Sequence, residues 1–227
     1  MELVAKALEV HERLLRAFGQ PAPKEQRDPL SELILTILSQ NTSDLNSGRA
    51  FDNLVARFPT WGDALASGPE AIAAAIQVGG LANVKAPRIH AILTKLESER
   101  GELSLDLLAP MPVDKARAYL LALPGVGPKT AACVLLFSLH KPALPVDTHV
   151  HRVSQRVGLV SLKASAEKAH SLLEELLPQQ LYYPFHLNLI RLGREVCAAR
   201  SPRCDACPLA DICDDLAQRQ QAHSAAD

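Results

Sequence analysis

The chain has 227 residues, of which 48% are hydrophobic, a share large enough to build a real core in one large domain or two small ones. Its formal net charge of −1 excludes a protein coated with positive charge but leaves room for a local basic face. No run of about 18 uninterrupted apolar residues exists, so no membrane-spanning helix is expected, and aromatic residues at 4% are too few for a single-strand stacking platform.

Apolar residues recur at helical spacing almost throughout, and no strand pattern emerges. Residues 2–18 carry Leu3, Ala7, Val10, Leu14 and Phe18 at steps of three and four, until Pro21, Pro23, Asp28 and Pro29 break the helix. A second helix is predicted over 30–40. Thr42, Ser43 or Asp44 caps a third, which ends at Phe58-Pro59. Pro69 opens the next at a first helical position, and Gly79-Gly80 ends it. Residues 84–100 form another, followed by a turn at Pro110 and Pro112. Further helices are predicted at 113–122, 128–139, 149–157, 166–177 and 182–198. Short connections between so many helices imply a compact all-α protein without solenoid repeats. The polar tail 215–227 is expected to be frayed or disordered.

Four of the five cysteines fall within seventeen positions, Cys197, Cys204, Cys207 and Cys213, spaced C-x6-C-x2-C-x5-C. No apolar signal-peptide core precedes Glu12 and Arg13, so a cytoplasmic location is expected, at the nucleoid in a bacterium. In a reducing compartment disulfides are rare, and packed cysteines point to a metal or cluster. Tetrahedral zinc competes here, because four-cysteine zinc sites with a C-x2-C element are common. Cys133 lies on an apolar helix face and reads as a small buried hydrophobe.

The stretch LLALPGVGPKTAACVLLFSL, residues 120–139, reads as a helical hairpin. Gly125-Val126-Gly127 makes a tight turn, and Pro128 opens the second helix where its missing N–H costs nothing. Free N–H groups at such a helix start suit an anion, and a DNA phosphate is one guest; an ordinary glycine turn between helices is the plain alternative. Lys129 stands in the first turn, where the helix field disfavours the ammonium and favours the free amine that a nucleophile needs. A solvated surface lysine is the commoner fate. Downstream, Asp147 in PVDTH suits an N-cap, a carboxylate aimed at substrate, or both.

LPGVGPKTA, then VDTHVHRV with Asp147 eighteen residues after Lys129, then the cysteine quartet, together resemble the endonuclease III family of helix-hairpin-helix DNA glycosylases. The resemblance covers about residues 28–213; LSQNTSD at 38–44 and GGLANVKA at 79–86 also resemble family segments near the lesion. It implies an all-α fold of two helical domains, a six-helix domain at 30–140 carrying the hairpin, and a cluster domain built from 1–29 and 141–227. It implies base-excision repair of oxidised pyrimidines in double-stranded damaged DNA, with Lys129 as nucleophile and Asp147 as its carboxylate partner. The four cysteines are implied ligands of a [4Fe-4S] cluster, a common use of four thiolates.

Further DNA contacts are implied at Gly125, Val126, Gly127 and Thr130 of the hairpin. Asn41 aligns near a family glutamine that fills the gap left by the flipped base, with Gln40 the adjacent candidate. Leu81 is a candidate apolar wedge, or else a buried loop leucine. His149 is expected near the DNA backbone or in a structural hydrogen bond, and His140 and His186 are read as structural. Arg200 and Arg203, inside the C-x6-C loop, are expected to meet phosphates. Ala82 stands where many members have tyrosine, and Leu121 where some carry an acid. Lysine at 129 favours a combined glycosylase and AP lyase over a monofunctional glycosylase that uses water. A non-catalytic hairpin protein that only binds DNA is the third reading, and a monomer without membrane contact is expected.

Overall fold

The computed structural model describes residues 2–23 and 25–224. Among these, eleven α-helices are joined by short 3-10 and π turns, and no strand occurs. The chain divides into two compact units, Glu25–Lys141 and Met1–Lys24 with Pro142–Asp227.

The first unit holds six α-helices: α2 (Pro29–Ser39), α3 (Asp44–Arg57), α4 (Trp61–Ala75), α5 (Ala82–Arg100), α6 (Val113–Leu121) and α7 (Pro128–Cys133). α2, α3 and α4 begin at side-chain caps. Asp28 caps α2 by accepting from the Ser31 N–H at 2.9 Å, with Pro29 at the first position. Ser43 caps α3, which settles the choice among Thr42, Ser43 and Asp44. α2 is the hub: it packs against α3, α5 and α7, and Leu30, Leu33, Ile34, Ile37 and Leu38 on it are fully buried.

Two differences from the expected helices stand out in this unit. α4 begins at Trp61 rather than Pro69, because Thr60 and Asp63 form a reciprocal capping box. Gly68, at φ +81°, kinks the helix just before Pro69. The helix expected at 128–139 is α-helical only as far as Cys133 and then widens into a π turn over Val134–Ser138. Such π segments recur at functional positions.

The second unit contains α1 (Leu3–Phe18), α8 (Thr148–Val157), α9 (Ala166–Leu176), α10 (Tyr182–Glu195) and α11 (Asp214–Ser224). α10 packs on α8 and α1, so the segments before and after the first unit share one core around Leu14, Val153, Phe185 and Leu189. The helix expected over 182–198 stops at Glu195, which frees Cys197 from helical backbone. The expectation of a frayed tail is corrected for the described part of it. Residues 214–224 are helical and pack on α8, tied by a 2.5 Å ion pair from Lys6 to Asp214 and an i,i+4 pair between Asp215 and Arg219. Residues 225–227 of that tail lie outside the described residues.

Candidate functional site

In the first unit the hairpin is α6, a turn, and α7. The turn is closed by the Val126 N–H donating to Leu123 O at 3.2 Å, with Gly125 at φ +72°. A Cβ at Gly125 would stand 3.0 Å from Arg88 Cδ, so glycine serves here both the backbone angle and the close approach. No side chain caps α7, whose N-cap is Gly127 with Pro128 next. Lys129 is half-buried in the first turn of α7. Its neighbour Thr130 is only 3% exposed, so the hydroxyl expected to meet DNA instead accepts from Gln40 Nε2 at 3.4 Å. Val126 is likewise buried, and Cys133 is buried as expected of a small hydrophobe.

The turn after α2 lies beside this hairpin. Gln40 is held at both ends of its amide, by Thr130 and by Arg88 Nη1, which donates to Oε1 at 3.1 Å. Asn41 is exposed and takes a left-handed φ of +52°. Leu81 has φ +51°, precedes α5 as its N-cap and is 53% exposed, so it is not a buried loop leucine. Ala82 is half-buried at the start of α5, and Leu121 is exposed at the end of α6.

In the second unit Asp147 is the N-cap of α8, its Oδ1 accepting from the Val150 N–H at 2.7 Å. One carboxylate oxygen is therefore committed to the helix start. His149 is half-buried, with Nδ1 3.1 Å from Arg152 Nη2. His186 is buried, its Nδ1 2.8 Å from Pro145 O, a structural role; His140, in the first unit, is exposed at φ +50°.

The four clustered cysteines are each half-buried and line one pocket, together with Val153, Leu192 and Leu216. Arg156 Nη1 lies 3.3 Å from Cys197 Sγ and donates to Ala198 O at 2.7 Å, while its Nη2 donates to Ala199 O at 3.0 Å. Arg219 Nη2 lies 3.6 Å from Cys204 Sγ. Burial pushes the Cys207 and Cys213 thiols up from their ordinary range, and for Cys207 the other three cysteines add to it. Four thiolates in that space need positive charge among them, which iron supplies. Cys197, Cys204, Cys207 and Cys213 line the same pocket, and a set of four thiol donors fits the iron-sulfur cluster that they would hold.

Arg203, expected at phosphates, is exposed but turns its guanidinium to the Glu195 carbonyl and lines the cavity wall; Arg200 is exposed. Arg88, Arg156 and Arg219 were not flagged by any sequence motif. Their contacts join residues between 15 and 48 positions apart, and arginine carries no periodic signal for them.

Residues 34–179 match the profile of the HhH-GPD superfamily base excision DNA repair protein, and residues 197–213 match the iron-sulfur binding domain of endonuclease III. The chain is 36% identical over 194 residues to endonuclease III of Thermotoga maritima, covering 86% of each. A trapped endonuclease III–DNA covalent intermediate superposes with a TM-score of 0.82 at 29% identity, covering 97% of this chain and 100% of that one. A thermostable thymine-DNA glycosylase superposes at 0.78 with 25% identity, covering 94% and 98%. The iron-sulfur domain brings with it a [4Fe-4S] cluster, and the structural relatives include endonuclease III bound to DNA. The chain belongs to the HhH-GPD superfamily and is a base-excision-repair DNA glycosylase of endonuclease III type.

Proposed function

We propose that this protein is a bifunctional DNA glycosylase and AP lyase that removes oxidised pyrimidines from double-stranded DNA, working as a monomer in a reducing compartment. The observation that carries the reading is Lys129, a lysine in the first turn of the hairpin's second helix, half-buried beside the uncapped N-terminus of α7. The covalent intermediate trapped for a structural relative supports it.

The damaged nucleotide leaves the stack so that its sugar reaches the amine. Lys129 Nζ attacks the anomeric carbon, the glycosidic bond breaks, and the base departs with its electron pair and takes up a proton. Loss of the amine proton and ring opening leave a protonated Schiff base between Lys129 and the sugar. Removal of a C2′ proton then expels the 3′ phosphate, and water releases the lysine. Asp147 receives the proton from Lys129 or stabilises positive charge on the sugar, through the carboxylate oxygen that does not cap α8. Asn41 fills the space of the flipped base, because Gln40 is already held by Thr130 and Arg88. Leu81 wedges the neighbouring step. The cluster supplies a rigid cross-link for the loop carrying Arg200 and Arg203.

Borohydride treatment of the cluster-loaded protein on an oxidised-pyrimidine duplex tests this reading. A trapped adduct that disappears in Lys129→Ala is expected. Base release without an adduct would assign a monofunctional glycosylase, and binding without release a non-catalytic DNA-binding protein. The thymine-DNA glycosylase neighbour makes a mismatch panel the control for lesion choice, with Ala82 and Leu121 the departures expected to tune it.

A further inference from the structure

Lys85 is among the largest fully buried side chains of the described residues, 2% exposed. Its ammonium donates three hydrogen bonds, to Leu38 O at 2.7 Å, Thr42 Oγ1 at 2.6 Å and Gly79 O at 2.9 Å. The Thr42 hydroxyl adds a bond of its own, donating to Gly79 O at 2.6 Å. None of the three Lys85 acceptors is a carboxylate. Burial lowers the Lys85 pKa from its ordinary value, and no opposing charge restores it. A charge buried without an ion partner is costly and is retained only when its hydrogen bonds are complete. Here all three protons of the ammonium are used.

The three acceptors belong to separate pieces of backbone. Leu38 is in the last turn of α2, where a cation also meets the negative end of the helix. Thr42 lies in the turn between α2 and α3, and Gly79 ends the 3-10 turn before α5. Gly79 itself is pinned, since a Cβ there would stand 2.9 Å from Ala50 Cβ on α3. Asn41 sits immediately before Thr42 and Leu81 two residues after Gly79, and both are non-glycine residues with left-handed φ, +52° and +51°. Such a conformation is strained for a residue with a side chain and persists only where the surroundings hold it. Both side chains are exposed.

We propose that Lys85 is a positioning residue for DNA distortion: its buried ammonium clamps the 38–42 turn to the 79–81 loop and so fixes the two tips, Asn41 and Leu81, at the spacing with which they enter the duplex. The proposal rests on the reading of Asn41 and Leu81 as the inserted side chains. Without the clamp the two loops separate in register, phosphate contacts elsewhere persist, and the inserted side chains arrive misplaced. A misplacement of about 1 Å is enough to slow a reaction roughly 100-fold.

The test uses cluster-loaded protein and a duplex with 2-aminopurine beside the lesion, whose fluorescence reports unstacking. Single-turnover rate, fluorescence change and affinity for undamaged duplex are measured for Lys85→Met, Thr42→Val, Leu81→Ala and Asn41→Ala. Lys85→Met is expected to lose about 100-fold in single-turnover rate and most of the fluorescence change. Its affinity for undamaged duplex and the final amount of trapped adduct should stay within twofold, which loss of folded protein would not allow. Thr42→Val, which keeps the lysine and removes one bridge, should move rate and fluorescence the same way by less. Rate and fluorescence unchanged in Lys85→Met, while Leu81→Ala and Asn41→Ala lower both, would overturn the clamp and leave the insertion reading standing. Unchanged values in Leu81→Ala and Asn41→Ala would overturn the insertion reading and the clamp with it. Should Lys85→Met fail to fold, Thr42→Val decides, and parental values in it overturn the proposal.

Discussion

The guanidinium of Arg156 lies 3.3 Å from the sulfur of Cys197, and the same side chain donates to the carbonyls of Ala198 and Ala199. One arginine on α8 therefore holds both a candidate ligand and the first backbone of the C-x6-C loop. Groups that orient the ligands of a metal centre typically change its affinity by about 10–100-fold when removed. Arg156→Ala is expected to speed loss of visible cluster absorbance under chelator at least ~10-fold, with Arg156→Lys intermediate because it keeps charge but not the fork. An unchanged bleaching rate in Arg156→Ala would show that the arginine does not support the centre.

Asp147 caps α8, and under the proposed mechanism it also assists Lys129; two substitutions separate the roles. Asparagine caps a helix about as well as aspartate, whereas alanine at that position costs ~0.5–2 kcal/mol. Asp147→Asn should therefore keep the parental melting temperature while adduct formation slows sharply. Asp147→Ala should lose stability and chemistry together. Parental trapping rates in Asp147→Asn would reduce Asp147 to a cap.

Most helices were legible because their apolar residues repeat at helical spacing and their ends carry proline, glycine or a capping side chain. The quartet of cysteines and the LPGVGPKT turn were legible because ligand and turn chemistry is local in the chain. The missing information was tertiary. α11 forms because Asp214 meets Lys6 from the far end of the chain and Leu216 faces the cysteine cavity, and no window around residue 214 contains either fact. The burial of Lys85 and of Thr130 was invisible for a related reason. A lysine or a threonine in a helix is ordinarily solvated, and only the loops from elsewhere in the fold make burial tolerable.

The start of α4 was legible in principle, since Thr60 and Asp63 have capping-box spacing. The Thr60 hydroxyl accepts from the Asp63 N–H at 3.1 Å, and the Asp63 carboxylate accepts from the Thr60 N–H at 3.0 Å. Thr60→Ala is expected to cost ~1 kcal/mol. Because the helix is kinked at Gly68, the loss should appear as faster amide exchange over 61–67 with little change beyond Pro69. Uniform acceleration along the whole of α4 would contradict the kink as a break in cooperativity.

Arg200 and Arg203 share a loop but differ in commitment. Arg203 already donates to the Glu195 carbonyl, while Arg200 is exposed. Removing one cation from a phosphate should flatten the logarithmic salt dependence of duplex binding by about 0.9. Both alanine variants are expected to weaken binding to all sequences alike, and Arg203→Ala also to loosen the loop, seen as faster cluster bleaching. Salt slopes identical to the parent in both would show that neither arginine meets the DNA backbone.

His11 on α1 is 4% exposed, its Nδ1 is buried without a hydrogen-bond partner, and its ring lies 6.3 Å from that of Phe185. Burial lowers its pKa below the ordinary 6.5, with Glu12 pulling weakly the other way. The unfolded chain therefore takes up a proton at His11 at a higher pH than the folded protein does. Stability from this residue is fully present above about pH 6.5 and falls as the pH drops toward the folded-state value. His11→Leu removes both the unpaired nitrogen and the titration. Melting temperatures of cluster-loaded parent and variant, compared between about pH 5 and 8, should diverge toward low pH in favour of the variant. A difference that is constant across that range would show that His11 does not couple protonation to folding.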